Sequence, residues 1–394
     1  MSDQWVEMRL GDACRSIRRG RAPKYVDEGL LVLNQKCVRQ ENRIELSLAR
    51  RTDPSRALPE HAQLRIGDVL INSTGRGTLG RAAEIRELPE SATADTHVTI
   101  VRPDPERFAS GFAGLALSTR KTDFESLQTG STNQTELSAI SIASVSITLP
   151  PIPTQERIVE VIGAIDDHIT MLDAEISALD ALFKGRREEL FARYSTTGTT
   201  LPIGEILQEV KRPITTTPEA EYLQIGIRSH GRGLFTKEAV TGESLGSKKV
   251  YWVEPGDLVI NIVFAWEGAV AVVPPEVKGY CGSHRFPAYQ RVDGGDIEFF
   301  RLFFSSKAGT QLLANCSPGG AGRNRTLNRR RLMQSPVGMP SAQEQERAIY
   351  ELQTQEASIG ALRTETNRLR GMRASLLSGL LDRSITLADA EREA

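Results

Sequence analysis

Cysteine and histidine are both scarce in this 394-residue chain. Cys14, Cys37, Cys281 and Cys316 are scattered, with no CxxC pair. That argues against a zinc site and makes free thiols in the cytoplasm the expectation. The five histidines, His61, His97, His168, His230 and His284, make no HExxH and no other ligand-spaced pair. GxSxG is missing, and so is the Asn-Pro-Pro-Tyr or Asp-Pro-Pro-Tyr motif of an adenine methyltransferase. No carboxylate cluster of nuclease type stands out. There is no run of 18 apolar residues, so no membrane span is expected. The first ten residues, MSDQWVEMRL, are polar and do not read as a signal peptide. These absences point away from an enzyme, a metalloprotein and a membrane protein.

What is present is ordinary in bulk. Hydrophobic residues make up 39% and charged residues 25%, and the length allows two or three domains. The net charge of −1 conceals a partition. Residues 151–194 carry five basic and nine acidic side chains, whereas residues 195–340 carry 17 basic and 13 acidic ones. The stretches flanking the acidic segments are neutral to basic, a distribution compatible with patches of positive charge for nucleic acid.

The segment 155–194 organises the chain. Ile158, Ile162, Ile165, Ile169, Leu172, Ile176, Leu179 and Phe183 alternate in steps of four and three. This is an a/d seam held for more than three heptads, which predicts a coiled-coil helix roughly 60 Å long. A narrow seam needs a partner. Residues 343–383 offer one, with Leu352, Ile359, Leu362, Leu369, Leu376 and Leu380 on a similar seam. Glu356, Thr366 and Arg373 interrupt that seam with polar side chains.

The partner lies there because the chain repeats itself. Gly67-Asp68-Val69-Leu70-Ile71-Asn72 returns as Gly256-Asp257-Leu258-Val259-Ile260-Asn261. Leu149-Pro150 followed by Gln155-Glu156-Arg157 returns as Met339-Pro340 followed by Gln345-Glu346-Arg347. Leu137 returns as Leu327, and Leu10-Gly11-Asp12 is echoed by Ile203-Gly204-Glu205. Four matches in one order, about 190 residues apart, indicate an internal duplication. The expected fold class is α+β. Two mixed α/β blocks, 1–150 and 201–340, are separated by helices at 151–194 and 341–385 that pair as an antiparallel coiled coil, in an internal pseudo-two-fold repeat. Further expectations are a basic loop over Ile17–Tyr25, a buried strand over Leu30–Val38 and helices over Phe108–Leu117 and Phe299–Phe304. Ser195–Thr200 is expected to be a linker, and Trp252, Phe264, Trp266 and Phe286 to lie in the second core.

Gly75, Gly77 and Gly80 spell GxGxxG. The stretch lacks the GK[ST] ending of a phosphate loop and shows no crossover helix, so a nucleotide site is not expected. The basic residues of these loops fit DNA better. Candidates in the first block are Arg18, Arg19, Arg21, Lys24, Lys36, Arg76 and Arg81, with Gln35, Thr78, Asn133 and Gln134 as polar readers. In the second block they are Arg232, Lys248, Lys249, Arg323, Asn324 and Arg325. Guanidinium groups can bind phosphates or guanine edges, and amides can bind adenine edges.

The doubled layout resembles the specificity subunit of type I restriction-modification systems. The resemblance is carried by Gly67–Leu70 with its glycine loop and by Leu149-Pro150-Pro151-Ile152-Pro153-Thr154-Gln155-Glu156-Arg157 opening a long helix. Both features recur in the second half, and the whole chain is covered. The resemblance implies that each α/β block is a target-recognition domain reading one half of a split sequence in double-stranded DNA, with the helices as spacer. A 60 Å spacer would separate the halves by roughly 17 base pairs. It further implies two methyltransferase subunits carrying S-adenosylmethionine, and restriction/translocase subunits using ATP and Mg. This chain itself would bind none of these cofactors and be non-catalytic. The competing expectation is a coiled-coil interaction adaptor without sequence-specific DNA binding.

Overall fold

Gly67 and Gly256 both lie in the left-handed region, at φ 88° and 86°, where any side chain would be strained. Each closes a turn that sends the next aspartate inward and starts a buried strand. The Arg65 N–H donates to Asp68 Oδ2 at 2.9 Å, and the Glu254 N–H donates to Asp257 Oδ2 at 2.9 Å. The strands that follow are Val69–Asn72 and Leu258–Ile260.

The structure is a computed structural model that describes residues 4–54, 58–130, 135–319 and 325–387. It divides into two compact units, Met1–Asp173 with Glu365–Ala394, and Ala174–Thr364. In the first unit an antiparallel sheet runs in the order Cys14–Arg19, Val98–Pro103, Val69–Asn72, Ala82–Glu84. The second unit has the same order in Leu207–Val210, Ala288–Arg291, Leu258–Ile260, Val270–Val272. The units differ in what lies beside this sheet. The first adds a sheet of Tyr25–Val26, Arg50–Thr52, Leu30–Leu33 and Ala92–Ala94, the last pair parallel. The second adds three two-stranded pairings, among them Val250–Trp252 with Cys281–Ser283.

The repeated Pro…Gln motif is a fastening. In the first unit Gln155 Nε2 donates to the carbonyls of Pro150 and Arg107, both at 2.8 Å, while Oε1 accepts the Ala109 N–H at 2.8 Å. In the second, Gln345 Nε2 donates to the Pro340 carbonyl at 2.9 Å and Oε1 accepts from Arg291 Nη1 at 2.9 Å. Leu137 and Leu327 keep equivalent bonds, their N–H groups donating to the carbonyls of Ser73 and Ile262 at 2.9 Å. Each is followed by a capped short helix. Ser138 Oγ accepts the Ser141 N–H, and Asn328 Oδ1 accepts the Arg331 N–H. Replacing Asn328 with alanine is expected to cost about 1 kcal/mol, read as a lower urea midpoint at unchanged slope.

The two long helices are Ile152–Thr197 and Ala342–Asp382. Within each unit their segments pair antiparallel. In the first unit Ile158, Ile162, Leu377 and Leu380 are buried in one core with Phe112, Leu137 and Leu149. Arg370 reaches Asp173 and Arg373 reaches Asp166. In the second, Leu190, Phe191, Tyr194, Ile349 and Leu352 join Phe299, Phe300 and Phe304. Arg186 pairs with Glu351 and Arg363 with Asp180. Ile165, Leu179, Phe183, Leu362, Leu369 and Leu376 are half-buried on the seam, and Ile169, Leu172, Ile176 and Ile359 are buried.

Several expectations change. Glu356 and Arg373 are not unpartnered breaks in the seam. Glu356 accepts both Nη groups of Arg301 at 3.1 and 2.6 Å, and Arg373 is buried against Asp166. The basic stretch after Ile17 is not all loop, because Arg18 and Arg19 complete the strand Cys14–Arg19. The strand from Leu30 stops at Leu33, since Asn34 Oδ1 accepts the Lys36 N–H at 2.8 Å and turns the chain. The helix placed over Phe108–Leu117 begins at Phe112, after left-handed Gly111. Ser195–Thr200 is not a linker: the helix continues to Thr197, and Thr199–Pro202 pairs with Pro336–Met339. Trp252 is 36% exposed, and Phe264, Trp266 and Phe286 are half-buried at the rim of the core.

Candidate nucleic-acid interface

Antiparallel pairing brings three chain reversals to one end of the sheet in the first unit. Arg19 stands beside Thr99, Asn72 beside Val98, and Ala82 beside Ile71. The chain leaving Arg19, the turn before Val98 and the loop Ser73–Arg81 therefore share that edge. The turn at Gln35 is drawn to it, because Asn72 Nδ2 donates to the Gln35 carbonyl at 2.9 Å. Arg21 joins through its N–H on the Ala94 carbonyl.

The sequence candidates play unequal parts here. Arg19 is committed to the fold. Its guanidinium donates to the carbonyls of Thr96 and Leu137 at 3.0 and 2.9 Å and to Glu136 at 2.5 Å. Arg18, Arg21, Lys36 and Arg76 are exposed along the edge. Arg81 reaches back to the Gly77 carbonyl at 3.2 Å, and the Thr78 hydroxyl donates within its own turn. Lys24 is set apart from the group, at 3.4 Å from Asp53 beside the second sheet. Asn133 and Gln134 fall outside the described residues.

Two groups at this edge escaped sequence reasoning. His97 Nδ1 and Thr74 Oγ1 lie 2.8 Å apart, and Asp95 is buried beneath them. Burial pushes the Asp95 carboxyl above the ordinary aspartate range, opposed by the His97 N–H donating to it at 2.8 Å. Nothing in their sequence spacing announces this pairing; only the strand register does.

The same end of the second unit is built differently. The loop matching Ser73–Arg81 is Ile262–Ala269, one residue shorter, and it carries Trp266 among residues that replace the glycines. Trp266 Nε1 donates to the Val263 carbonyl at 3.2 Å, and the guanidinium of Arg325 lies 5.3 Å from its ring centroid, an aromatic contact favourable to a cation. Arg232 closes a neighbouring turn on the Ser229 carbonyl, and the Ser229 hydroxyl ties that turn to the Trp266 loop by donating to Glu267. Lys248 and Lys249 are exposed before Val250, and the Lys249 carbonyl accepts the His284 N–H. Arg323 and Asn324 fall outside the described residues. Reading the repeat at a spacing of 189 across this loop would have marked Trp266 as a loop residue.

A shared support lies at the opposite end of each sheet, where the central strand begins. Arg102 clamps Asp68 with two bonds of 2.8 Å. At the matching strand position the second unit has Gln290, which donates to Asp257 at 2.8 Å, while Arg212 supplies the charge at 2.6 and 3.1 Å. Among the described residues, no group of histidine, cysteine, aspartate and glutamate side chains is arranged to hold a metal ion. No described helix is long and apolar enough to cross a membrane.

Comparison with known proteins agrees with this architecture. Residues 58–180 match the family model of the type I restriction modification DNA specificity domain. No curated protein sequence matches. Among solved structures, the S subunit of a type I restriction-modification system from M. genitalium superposes with a TM-score of 0.59 at 14% identity, covering 96% of each chain. A structure described as showing complex assembly and conformational transition of the type I R-M system gives a TM-score of 0.59 at 15% identity, covering 97% of this chain and 98% of that one. Residues 58–180 thus resemble the type I restriction modification DNA specificity domain, and the chain as a whole shares the fold of the type I S subunit.

Proposed function

We propose that this chain is the non-catalytic DNA sequence-specificity subunit of a type I restriction-modification assembly. The observation that carries the reading is one sheet built twice, with different side chains at the same edge. Small residues and arginine occupy that edge in the first unit, and Trp266 with Arg325 in the second. A shared frame with divergent loops suits a protein that reads two dissimilar half-sites of one double-stranded target. The exposed cations supply phosphate contacts and salt-dependent affinity, and the loop polars supply base contacts. The long helices running from one unit into the other set the gap between the half-sites. Two methyltransferase subunits bring S-adenosylmethionine, and restriction/translocase subunits bring ATP and Mg; this chain supplies the address.

Sequencing the methylated bases of a host carrying the complete system tests the reading. A split adenine-methylation motif is expected, with binding that weakens steeply as salt rises. Methylation without any split motif would refute the specificity role. Methylation by the isolated chain with S-adenosylmethionine would instead make it an enzyme.

A further inference from the structure

The turn after Leu33 is anchored by its backbone and not by its side chain. The Gln35 carbonyl accepts from Asn72, and Asn34 holds the Lys36 N–H. Gln35 Oε1, by contrast, is buried with no hydrogen-bond partner among the described residues. It lies against Gly75, where an added Cβ would come within 2.5 Å of it. Gly75 is in the left-handed region at φ 98°, so glycine is needed there both for the backbone and for the close approach. Asn72, fully buried, keeps Oδ1 without a partner, and Arg81 Nε is in the same condition. Two acceptors and one donor stand unused around one loop, although buried polar groups in folded proteins are nearly always paired. Beside them Lys36 and Arg76 are exposed, ready for the phosphates of a strand lying on this edge.

We propose that Gln35 is the side chain that reads an adenine in the half-site taken by the first unit, with Asn72 and Gly75 as its positioning residues. The inference rests on the reading of the chain as a specificity subunit. A glutamine amide has the acceptor for the adenine N6 amine and the donor for N7, in one plane. Gly75, Gly77 and Gly80, all at positive φ, allow the loop to move off the amide without straining a side chain. The second unit has Phe264 where the first has Gly75, so the effect is confined to one half-site.

The test uses the complete modification complex, this chain with its methyltransferase subunits, acting on randomised duplex DNA with S-adenosylmethionine. For Gln35→Met, which keeps length and removes the amide, preference for adenine at one position of one half-site is expected to fall roughly tenfold to hundredfold. The other half and the gap stay unchanged. For Gln35→Glu the same position is expected to shift toward cytosine, whose N4 amine a carboxylate accepts. If Gln35→Met reproduces the wild-type motif, Gln35 holds only a buried water and the inference is overturned. Equal weakening at every position of the half would overturn it as well. Should Gln35→Met lose both halves together with its cooperative melt, Gln35→Asn decides. It keeps the amide but not its reach, is expected to lose the same single position, and overturns the proposal if it does not. A wild-type complex that shows no split motif removes the specificity reading itself. Failure of Gln35 alone is seen only against a split wild-type motif.

Discussion

A complex in which residues 1–150 are replaced by the matching block of another specificity subunit is expected to methylate a target with one new half and one old half. The edge formed by Arg21, Gln35, Lys36, Arg76 and His97 lies wholly inside the exchanged block. Its seat on the rest of the chain is tolerant of exchange. Gln155, which lies outside the block, spends all three of its bonds on the backbone of Arg107, Ala109 and Pro150, and backbone groups survive a change of side chains. The remainder of the seat is mainly apolar, formed by Ile158, Ile162, Leu377 and Leu380, with two long ion pairs, Arg86 to Asp166 and Glu41 to Arg370, at 3.8 and 3.7 Å. Cores accept hydrophobic substitution when volume is kept. Each mismatched base pair costs about 1–3 kcal/mol. Three altered pairs would therefore exclude the old half by roughly 3–9 kcal/mol, a change from recognition to non-specific binding. Mapping methylated motifs for parent and exchange decides it. Retention of the old half, or alteration of both, would remove the assignment of the first unit to one half-site.

The parts of this molecule that are legible in the sequence are those where a backbone position admits one residue type. Gly67 and Gly256 need positive φ, Asp68 and Asp257 need to accept an amide from their own turn, and Gln155 and Gln345 need to reach a proline carbonyl. Each constraint is local, so each survives duplication and shows as a repeat. The partners of these residues are less legible. Arg102 in one unit is replaced by Gln290 and Arg212 in the other, because a buried carboxylate requires a charge nearby and not at a fixed place in the chain. The site is the least legible part. Its edge joins residues 19, 35, 72–81 and 97, which only strand register brings together. Arg19 and Arg76 look alike in sequence; one bonds three groups of its own fold and the other is exposed. The aromatic residues mislead for a related reason. Trp266 is apolar enough for a core, but it is stationed at a strand end, where its ring meets Arg325.

Asp166→Ala is expected to be among the most destabilising single changes in the first unit. Arg373 is 3% exposed, and its Nε and Nη2 reach the two carboxylate oxygens of Asp166 at 2.5 and 3.0 Å across the paired helix segments. Removing the carboxylate leaves a guanidinium in an apolar seam, next to buried Ile162 and Ile169 and Leu377 on the turns around it. Breaking such a pair from one side costs about 3–5 kcal/mol, which for a domain of this size corresponds to a fall of roughly 6–20 °C in melting temperature. Arg86, 3.8 Å from Asp166 and far more exposed, cannot compensate, since it carries the same charge as Arg373. The double change Asp166→Leu with Arg373→Met restores an unbroken seam, and stability is expected to return to the wild-type value or above it. The pair therefore contributes register more than stability. It fixes which turn of one helix faces which turn of the other, a role that buried polar groups fill in coiled coils. Thermal denaturation of the three variants tests the energetic part. A loss below about 1 kcal/mol for Asp166→Ala would mean that Arg373 finds another partner or water. Motif mapping tests the register part: the double variant is expected to fold, bind DNA and tolerate more than one gap between the half-sites, where the wild type tolerates one.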